Sequence, residues 1–408
     1  MLKIGFQTQN YQDLNTQNLF IKKQQSTQDN QIICENRIRL LNNSWITKIS
    51  SKLASFKLFQ EYQPIKNILD NLNEQTSNMF EFSEKQLISP KLCATLEQKD
   101  LCYAIVFDPQ GKIMVSGCGN KIIIWNFENG QIQEVNSLLE HQKEITCLVY
   151  SQISNYFISG SSDGSIRLWN SENNNQWYSS RPYYEHNEWI YCMIITQNED
   201  QLISSSADFT IKIWSIDFIN YELTFLYSLS YHTSDVNSLS LNESEKVLVS
   251  CGYDSLIIIW QKGVKNQWSF QQIVNQSTQE NGYHVRFLKE DQFIWLPSKS
   301  NMLCVYQNNN GKFEEIVDKR VLFKKDNQGC VNLPFFPIIF MKNKNLICLR
   351  HSLHILLLKE LNNGYISIVQ ELYCQDWSTY GAVTNNGQYL IYWGENKKKY
   401  DIYELQYQ

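Results

Sequence analysis

The stretch HQKEITCLVYSQISNYFISGSSDGSIRLWN, residues 141–170, decides the fold. It contains three short runs rich in β-branched and aromatic residues, ITCLVY, NYFISG and SIRLWN, and a fourth β-rich run follows near residues 177–184. Clusters of Asn, Ser, Asp and Gly separate these runs, as is typical of tight turns. The stretch therefore predicts one unit of four short strands.

The same unit recurs along the chain. Four aligned segments, NKIIIWN, GSIRLWN, FTIKIWS and SLIIIWQ, have tryptophans that lie 44, 45 and 46 residues apart, namely Trp125, Trp169, Trp214 and Trp260. Further steps of 46, 52 and 45 residues lead to Tyr306, Leu358 and Tyr403. We expect an insertion between Val321 and Pro337 to cause the long step and to form a loop on one face. Seven units with a period near 45 indicate the blades of a β-propeller.

Three units carry a His, a Ser, an Asp and a Trp at matched positions. These four-residue sets are His141, Ser159, Asp163 and Trp169; His186, Ser204, Asp208 and Trp214; and His232, Ser250, Asp254 and Trp260. With them the sequence resembles the WD-repeat β-propellers, of which the heterotrimeric G-protein β subunit is a familiar member. The resemblance implies a structural tetrad inside each blade. In it the Asp accepts from the imidazole, the imidazole contacts the Ser hydroxyl, and the Ser accepts from the indole.

The sequence also departs from the family pattern. No unit contains the Trp-Asp dipeptide, the first unit shortens its turn to SGCGN, and units five to seven lack the tetrad. The last three blades therefore depend on spacing and strand alternation. The predicted fold is all-β, a seven-bladed WD-repeat β-propeller over residues 91–408 with an α-helical, partly disordered N-terminal extension.

Closure of the ring is predicted from the two ends of this region. The chain ends soon after the seventh inner strand at residues 399–404, so blade seven lacks a fourth strand. The β-compatible run KLCATL, residues 91–96, fits that vacancy, as the family resemblance implies. The alternative is that residues 91–96 are only a linker.

The N-terminal region divides into two predicted parts. Residues 1–36 are rich in Gln and Asn and are predicted to be a disordered tail. In residues 37–90, apolar residues from Ile38 to Phe59 recur at three- and four-residue steps, which predicts an amphipathic helix that ends at Pro64. A second short helix follows. Its apolar face could pack on the propeller, on a second copy or on another protein.

Composition limits the classes of function. The net charge is −5 without an extended basic run, so we expect no nucleic acid partner. No apolar stretch reaches the roughly 20 residues of a membrane helix. The start of the chain lacks a signal-peptide core, so we expect a cytoplasmic or nuclear protein. The 11 cysteines form no C-x-x-C pair and are expected to be reduced, with no metal and no cofactor.

A partner-binding face is expected where the loops lead into the innermost strands, because members of the resembled family bind peptides there. The matching residues are Asp100, Glu144, Thr146, Trp189, Tyr191, Asp235, Asn237 and Tyr253. Acids around aromatic residues indicate a basic protein segment with an apolar anchor. The alternative is an ordinary solvated loop rim.

The function predicted from these features is an interaction scaffold or adaptor subunit that binds proteins or peptides. The tetrads contain Ser, His and Asp but recur three times without the G-x-S-x-G motif, so no catalytic residues are predicted. A substrate receptor of a ubiquitin ligase, or an enzyme with a site at the channel mouth, are the alternatives. The oligomeric state is left open.

Overall fold

A computed structural model describes residues 88–173, 176–324, 335–376 and 378–407. The predicted tail, residues 1–36, lies outside the described residues, as does the predicted helical segment up to residue 87. Residues 88–90, which we had assigned to that segment, are instead the first residues of a strand. The strand begins earlier than predicted because Ile88 is buried in the propeller core.

The described residues form seven antiparallel sheets that are arranged as the blades of a propeller. Each blade has four strands, and its innermost strand borders a central channel. In chain order the first strands are β1 (Ile88–Glu97), which belongs to blade 7; β2 (Cys102–Phe107), β3 (Ile113–Cys118), β4 (Lys121–Glu128) and β5 (Gln131–Leu138) of blade 1; and β6 (Ile145–Tyr150), β7 (Tyr156–Ser161), β8 (Ile166–Asn173) and β9 (Gln176–Ser179) of blade 2.

Blades 3 to 5 repeat this order of strands. Their strands are β10 (Ile190–Ile195), β11 (Gln201–Ser206), β12 (Ile211–Asp217) and β13 (Glu222–Leu229); β14 (Val236–Leu241), β15 (Val247–Gly252), β16 (Ile257–Lys262) and β17 (Trp268–Ile273); and β18 (Gly282–Lys289), β19 (Gln292–Pro297), β20 (Met302–Asn309) and β21 (Lys312–Glu315). Blade 5 has an extra short strand, β22 (Val321–Leu322), which pairs with β20. A 3-10 turn, Val317–Lys319, leads into it.

Blades 6 and 7 complete the ring. Their strands are β23 (Ile339–Met341), β24 (Leu346–His351), β25 (His354–Glu360) and β26 (Ile366–Tyr373); and β27 (Thr379–Val383), β28 (Tyr389–Gly394) and β29 (Lys399–Tyr407). A 3-10 turn, Lys342–Lys344, follows β23. The seven positions that the spacing aligned, from Trp125 to Tyr403, each lie on the third strand of their blade, counted outward from the channel. The prediction of a seven-bladed propeller is therefore confirmed.

Two hairpins show how local sequence sets the strand ends. Asn129 and Gly130 join β4 to β5 with φ values of 49° and 75°, and Asn310 and Gly311 join β20 to β21 with 53° and 87°. A two-residue turn with both φ values positive matches the twist of paired strands, and Asn-Gly adopts it readily. These dipeptides therefore fix the register of the outer hairpins.

The core lies between the blades. Seven apolar clusters of buried residues are found in the described chain, each with members from two neighbouring sheets. The approach between blades is close at Gly160, where a Cβ would lie 2.7 Å from Cys147 Sγ and 2.9 Å from a methyl carbon of Ile190. Each blade is thus stabilised mainly by its neighbours, as is typical of repeat folds.

The ring closes through the pairing of β1 with β29. The ladder runs antiparallel from Ile88 opposite Tyr407 to Glu97 opposite Lys399, with a bulge near Ala94. Beyond the ladder, the Trp393 indole donates to the Gln98 carbonyl at 2.9 Å. The outer strand of blade 7 therefore comes from the N-terminal side of the propeller, and the chain continues directly from it into the innermost strand of blade 1.

Candidate partner-binding site at the channel mouth

The tetrads of blades 3 and 4 form continuous hydrogen-bond chains. In blade 3 the Trp214 indole donates to Ser204 Oγ at 2.9 Å, and Ser204 lies 2.8 Å from His186 Nε2. His186 Nδ1 then lies 2.7 Å from Asp208 Oδ2. In blade 4 the matching distances, from Trp260 through Ser250 and His232 to Asp254, are 2.9, 2.8 and 2.8 Å.

The tetrad of blade 2 has a different last step. The Trp169 indole donates to Ser159 Oγ at 2.8 Å, and Ser159 lies 2.6 Å from His141 Nε2. His141 Nδ1, however, lies 2.9 Å from the Ser165 hydroxyl and 3.5 Å from Asp163 Oδ2. Asp163 instead accepts from the backbone N–H of Gln142 at 2.8 Å. The implied Asp–His contact is therefore shared with a serine in this blade.

Burial makes the tetrads structural elements rather than reactive groups. The Ser204 hydroxyl is fully buried, and it receives the indole N–H while it contacts the imidazole. Burial lowers the pKa of His186, an effect that outweighs the opposing influence of Asp208. Burial alone would raise the pKa of the Asp208 carboxyl, but hydrogen bonds from His186 and Thr210 hold it well below its usual range. The serine is thus inaccessible to a substrate.

Blade 1 has only part of this network. The Trp125 indole donates to Ser116 Oγ at 2.8 Å, and Ser116 lies 3.4 Å from Cys118 Sγ. Cys118 Sγ in turn lies 3.2 Å from the Tyr400 hydroxyl, which belongs to blade 7. The polar chain of this blade therefore crosses the junction where the ring closes.

The entrance of the channel is shaped by a β-bulge that recurs in five blades. At the start of the innermost strand, the register skips one residue between Cys102 and Ala104 in blade 1, and it skips one at the matching place in blades 2 to 5. The skipped residues are Tyr103, Thr146, Tyr191, Asn237 and Tyr283. A bulge turns its extra side chain away from the regular pleat. Three of the five blades use it to place a tyrosine at one end of the channel.

Five aromatic side chains and one carboxylate lie at this entrance. We call them the mouth cluster, which consists of Tyr103, Trp189, Tyr191, Tyr253, Tyr283 and Asp235. The Tyr191 hydroxyl donates to Asp235 Oδ2 at 3.1 Å. The hydroxyls of Tyr253 and Tyr283 lie 3.1 Å apart with their rings edge to face. The cluster thus has members from blades 3, 4 and 5, and Tyr103 adds the tyrosine at the matching bulge of blade 1.

The electrostatic environment of the mouth cluster is acidic. Burial raises the pKa of Tyr191, and the charges of Asp235 and Glu188 raise it further. Burial and the charge of Glu144 likewise raise the pKa of Tyr103. Burial also raises the pKa of Asp235, against the hydrogen bond from Tyr191. Within the described ranges no Lys or Arg forms an ion pair with Glu144, Glu188 or Asp235.

Three residues of the predicted partner-binding face differ from the others. Thr146 and Asn237 stand at the bulge position but are only 3% and 1% exposed. Their side chains donate to the backbone carbonyls of Ile190 and Gly282 in the next blade, so they hold neighbouring blades together.

The third is Asp100, which is one residue out of register. In blade 1 the turn donates a backbone hydrogen bond to the carbonyl of Leu101 and not to that of Asp100. In the next three blades the matching acceptors are the carbonyls of Glu144, Trp189 and Asp235. The shortened turn of the first unit caused this error. Asp100 is exposed, and its carboxylate lies 3.9 Å from Lys121 Nζ.

The sequence reasoning missed Tyr103 and Tyr283. Both stand at the bulge position that Tyr191 occupies in blade 3, so an alignment of the first two residues of each innermost strand would have found them. Among the described residues no group of three His, Cys, Asp or Glu side chains could hold a metal ion. No helix in the described ranges is long and apolar enough to cross a membrane.

Comparison with known families agrees with this geometry. Residues 90–126, 132–170, 177–215 and 223–261 match the family model "WD domain, G-beta repeat". The chain is a WD-repeat β-propeller. Each matched repeat spans the outer strand of one blade and the three inner strands of the next, so repeat and blade are offset by one strand. The offset is the reason why β1 has to close blade 7.

Similarity to individual curated proteins is confined to a short stretch. Over 70 residues the chain is 30% identical to "Intraflagellar transport protein 122 homolog" of Danio rerio, 29% to that of Xenopus tropicalis and 30% to that of Mus musculus. The stretch covers 17% of this chain and 6% of each relative. It is shorter than two repeats and gives no argument for a role in transport.

Proposed function

We propose that this WD-repeat propeller is an interaction scaffold that holds a basic segment of a partner protein at the mouth cluster. The observation that carries the proposal is the set of tyrosines around Asp235, beside Glu144 and Glu188, with no basic side chain paired to these acids in the described chain. Tyrosine and tryptophan are favoured anchors at protein interfaces. Carboxylates of one sign attract a basic ligand and orient it.

The position of the cluster supports the same proposal. Its side chains come from four blades, and three of its tyrosines, Tyr103, Tyr191 and Tyr283, are held at bulges of innermost strands. A surface that is fixed before binding loses little conformational entropy when it meets its partner. Trp189 is half-buried, and its ring centroid lies 6.4 Å from that of Tyr191, so part of the indole stays available for contact.

The test is affinity purification from native extract with the full chain, followed by measurement of the copurified protein. The double variant Trp189→Ala with Glu144→Lys should retain the fold and lose the partner, because it removes an anchor and places a cation among the carboxylates. A matched control is Tyr178→Ala with Glu134→Lys, two exposed positions on outer strands of blades 2 and 1.

The control should bind the partner like the wild type. Equal recovery of the partner by the Trp189/Glu144 variant, with an unchanged melting temperature, would place the interaction on another surface.

For the compartment we propose the cytoplasm or the nucleus, on composition alone. Fractionation of cells that express the tagged full chain tests this proposal.

A further inference from the structure

Phe335 lies over the centre of the channel entrance. It lies near the end of the insertion between Val321 and Pro337, and its ring centroid lies 4.5 Å from that of Tyr103 in blade 1. The ring is also 5.8 Å from Tyr191 in blade 3 and 6.0 Å from Tyr380 in blade 7. A single side chain that contacts blades on different sides of the ring can do so only across the channel. Phe335 therefore covers the apolar part of the mouth cluster.

The two neighbouring phenylalanines are held very differently. Phe336 is 1% exposed and belongs to the apolar cluster between blades 6 and 7. A Cβ added at Gly381 would lie 3.0 Å from its ring, so this ring has a close-fitting site. Phe335 keeps part of its surface in solvent, makes the three ring contacts given above, and packs against the edge of the apolar cluster between blades 7 and 1. Phe336 is thus a core residue, while displacement of the Phe335 ring would uncover only the edge of the core.

We propose that Phe335 is an internal occupant of the mouth cluster and competes with the partner. The partner segment would bind by placing an aromatic side chain of its own where the Phe335 ring lies, next to a Lys or Arg that faces Glu188 and Asp235. This inference rests on the proposed function, since it names the chemistry of the segment bound at the same site. It also adds a regulatory consequence, because the chain reduces its own affinity.

Two observations point to this occupant rather than to a purely apolar or a purely basic segment. The structure shows that the site accepts an aromatic ring, since Phe335 has three aromatic neighbours there. Tyr191, one of these neighbours, donates to Asp235, and neither Asp235 nor Glu188 forms an ion pair with a Lys or Arg in the described part of the chain. Charge complementarity therefore favours a cation close to the ring. A segment with Phe, Tyr or Trp between basic residues satisfies both conditions.

Competition within the chain has a measurable size. The apparent dissociation constant equals the intrinsic one divided by the fraction of molecules with an empty site. If the Phe335 ring occupies the site nine-tenths of the time, its removal should strengthen binding about tenfold. Replacement by the larger indole in Phe335→Trp should weaken binding.

The experiment uses the full chain and a fluorescein-labelled peptide, Gly-Lys-Gly-Phe-Gly-Lys-Gly, with capped ends. Fluorescence anisotropy gives the affinity for wild type, Phe335→Ala and Phe335→Trp. The control protein is Phe270→Ala, a 40% exposed phenylalanine on the outer strand of blade 4. The control peptides replace Phe by Ala, or both Lys by Glu. We expect tighter binding to Phe335→Ala only, and for the Lys-Phe-Lys peptide only.

A second measurement needs no ligand. Hydroxyl-radical labelling followed by mass spectrometry reports the accessibility of Tyr103 and Tyr191, which should increase in Phe335→Ala and stay unchanged in Phe270→Ala. Thermal melting checks that each variant is folded. Unchanged labelling of both tyrosines in a folded Phe335→Ala protein would overturn the inference whatever the peptide does.

The binding outcomes separate the two proposals. Equal or weaker affinity of Phe335→Ala for the peptide overturns the competition and leaves the mouth cluster as a binding site. Absence of peptide binding by every variant, together with a Trp189/Glu144 variant that keeps its native partner, overturns the proposed site and the inference with it. Tighter binding by Phe335→Ala with increased tyrosine labelling supports both.

Discussion

In each complete tetrad the hydrogen bonds all donate in the same direction, from the Trp towards the Asp. The indole N–H of Trp214 can only donate, so Ser204 accepts from it and has its own proton left for His186 Nε2. The other ring nitrogen, Nδ1, then carries the hydrogen that points at Asp208. Three hydrogen bonds thus determine the tautomer of one imidazole. Because all members are shielded from water, loss of one member leaves another buried polar group without a partner.

The difference between blades 2 and 3 leads to a prediction for the two aspartates. Asp208→Ala removes the carboxylate that His186 Nδ1 contacts and should destabilise the protein by ~1 to 3 kcal/mol. Asp163→Ala should cost less, because His141 Nδ1 keeps its contact with Ser165. Urea unfolding of both variants measures the difference.

The same variants should keep the copurified partner in the folded fraction, since neither aspartate belongs to the mouth cluster. Equal destabilisation by the two substitutions would show that Ser165 does not replace Asp163. A variant of normal stability that loses its partner would give Asp208 a role in binding.

The blade 3 tetrad also predicts a dependence of stability on pH. Burial lowers the pKa of His186 below its usual value of 6.5, and the pKa of Asp208 is depressed as well. In both cases the unfolded chain takes up a proton at a higher pH than the folded protein does. Unfolding therefore takes up protons. The free energy of unfolding should fall as the pH drops below about 6.5, where His186 becomes protonated in the unfolded chain. It should fall further at the lower pH at which Asp208 becomes protonated in the unfolded chain.

His186→Gln should make this loss smaller between pH 7.5 and pH 5.5, although it is less stable than wild type at pH 7.5. Urea midpoints at the two pH values for both proteins provide the measurement. A wild-type midpoint that does not change, or an identical change in the variant, would contradict a buried neutral imidazole.

At the scale of strands, the periodicity predicted all seven third strands because each one repeats an apolar, β-branched run ahead of a large side chain. The closing strand at residues 91–96, which the β-compatible run KLCATL and the family resemblance predicted, lies within the observed β1. The bulges were not predictable in this way, because a bulge depends on pairing register with the next strand and leaves no period in the sequence. The ends of β1 depend in the same way on its pairing with β29 and on the burial of Ile88.

The closing strand can be tested by two truncations. Deletion of residues 1–87 removes none of the described strands and should leave a cooperatively unfolding β-protein. Deletion of residues 1–97 removes β1, exposes the edge of β29 and uncovers the cluster that contains Ile88 and Leu405. This protein should aggregate or unfold at a clearly lower temperature.

Thermal unfolding followed by far-UV circular dichroism, with light scattering for aggregation, compares the two truncations. Similar melting temperatures would show that β1 adds little to the closed ring. An unfolded 88–408 fragment would mean that the propeller needs the preceding residues.

At the scale of the whole molecule, the mouth cluster exists only because the ring brings distant blades together. Trp189, Tyr191, Asp235 and Tyr253 were predictable, since each lies next to a repeat position that can be counted along the chain. Phe335 was not, because it lies in an insertion that breaks the period, and its place over the channel is a property of the closed ring. A repeat pattern predicts what recurs in each blade and does not predict what is added once.

Acidic and aromatic residues of the mouth should affect different steps of binding. Glu188 is exposed and Glu144 is half-buried, so they act mainly on the approach of a basic segment. Salt weakens this effect, because at 0.1 M it screens charges that are more than about 10 Å apart. The double variant Glu144→Gln with Glu188→Gln should therefore slow association and make the association rate less sensitive to salt. Trp189→Ala should instead speed dissociation, because truncation of a central aromatic anchor often costs ~2 kcal/mol or more.

Biolayer interferometry with the copurified partner, at low and high salt, resolves the two rates. Tyr178→Ala with Glu134→Lys serves again as the control, because it changes one aromatic and one acidic residue away from the channel. If the two glutamines alter only the dissociation rate, the carboxylates bind as local hydrogen-bond acceptors and do not steer the ligand. A Trp189→Ala protein with unchanged dissociation would remove the indole from the interface and leave the tyrosines around Asp235 as the anchors.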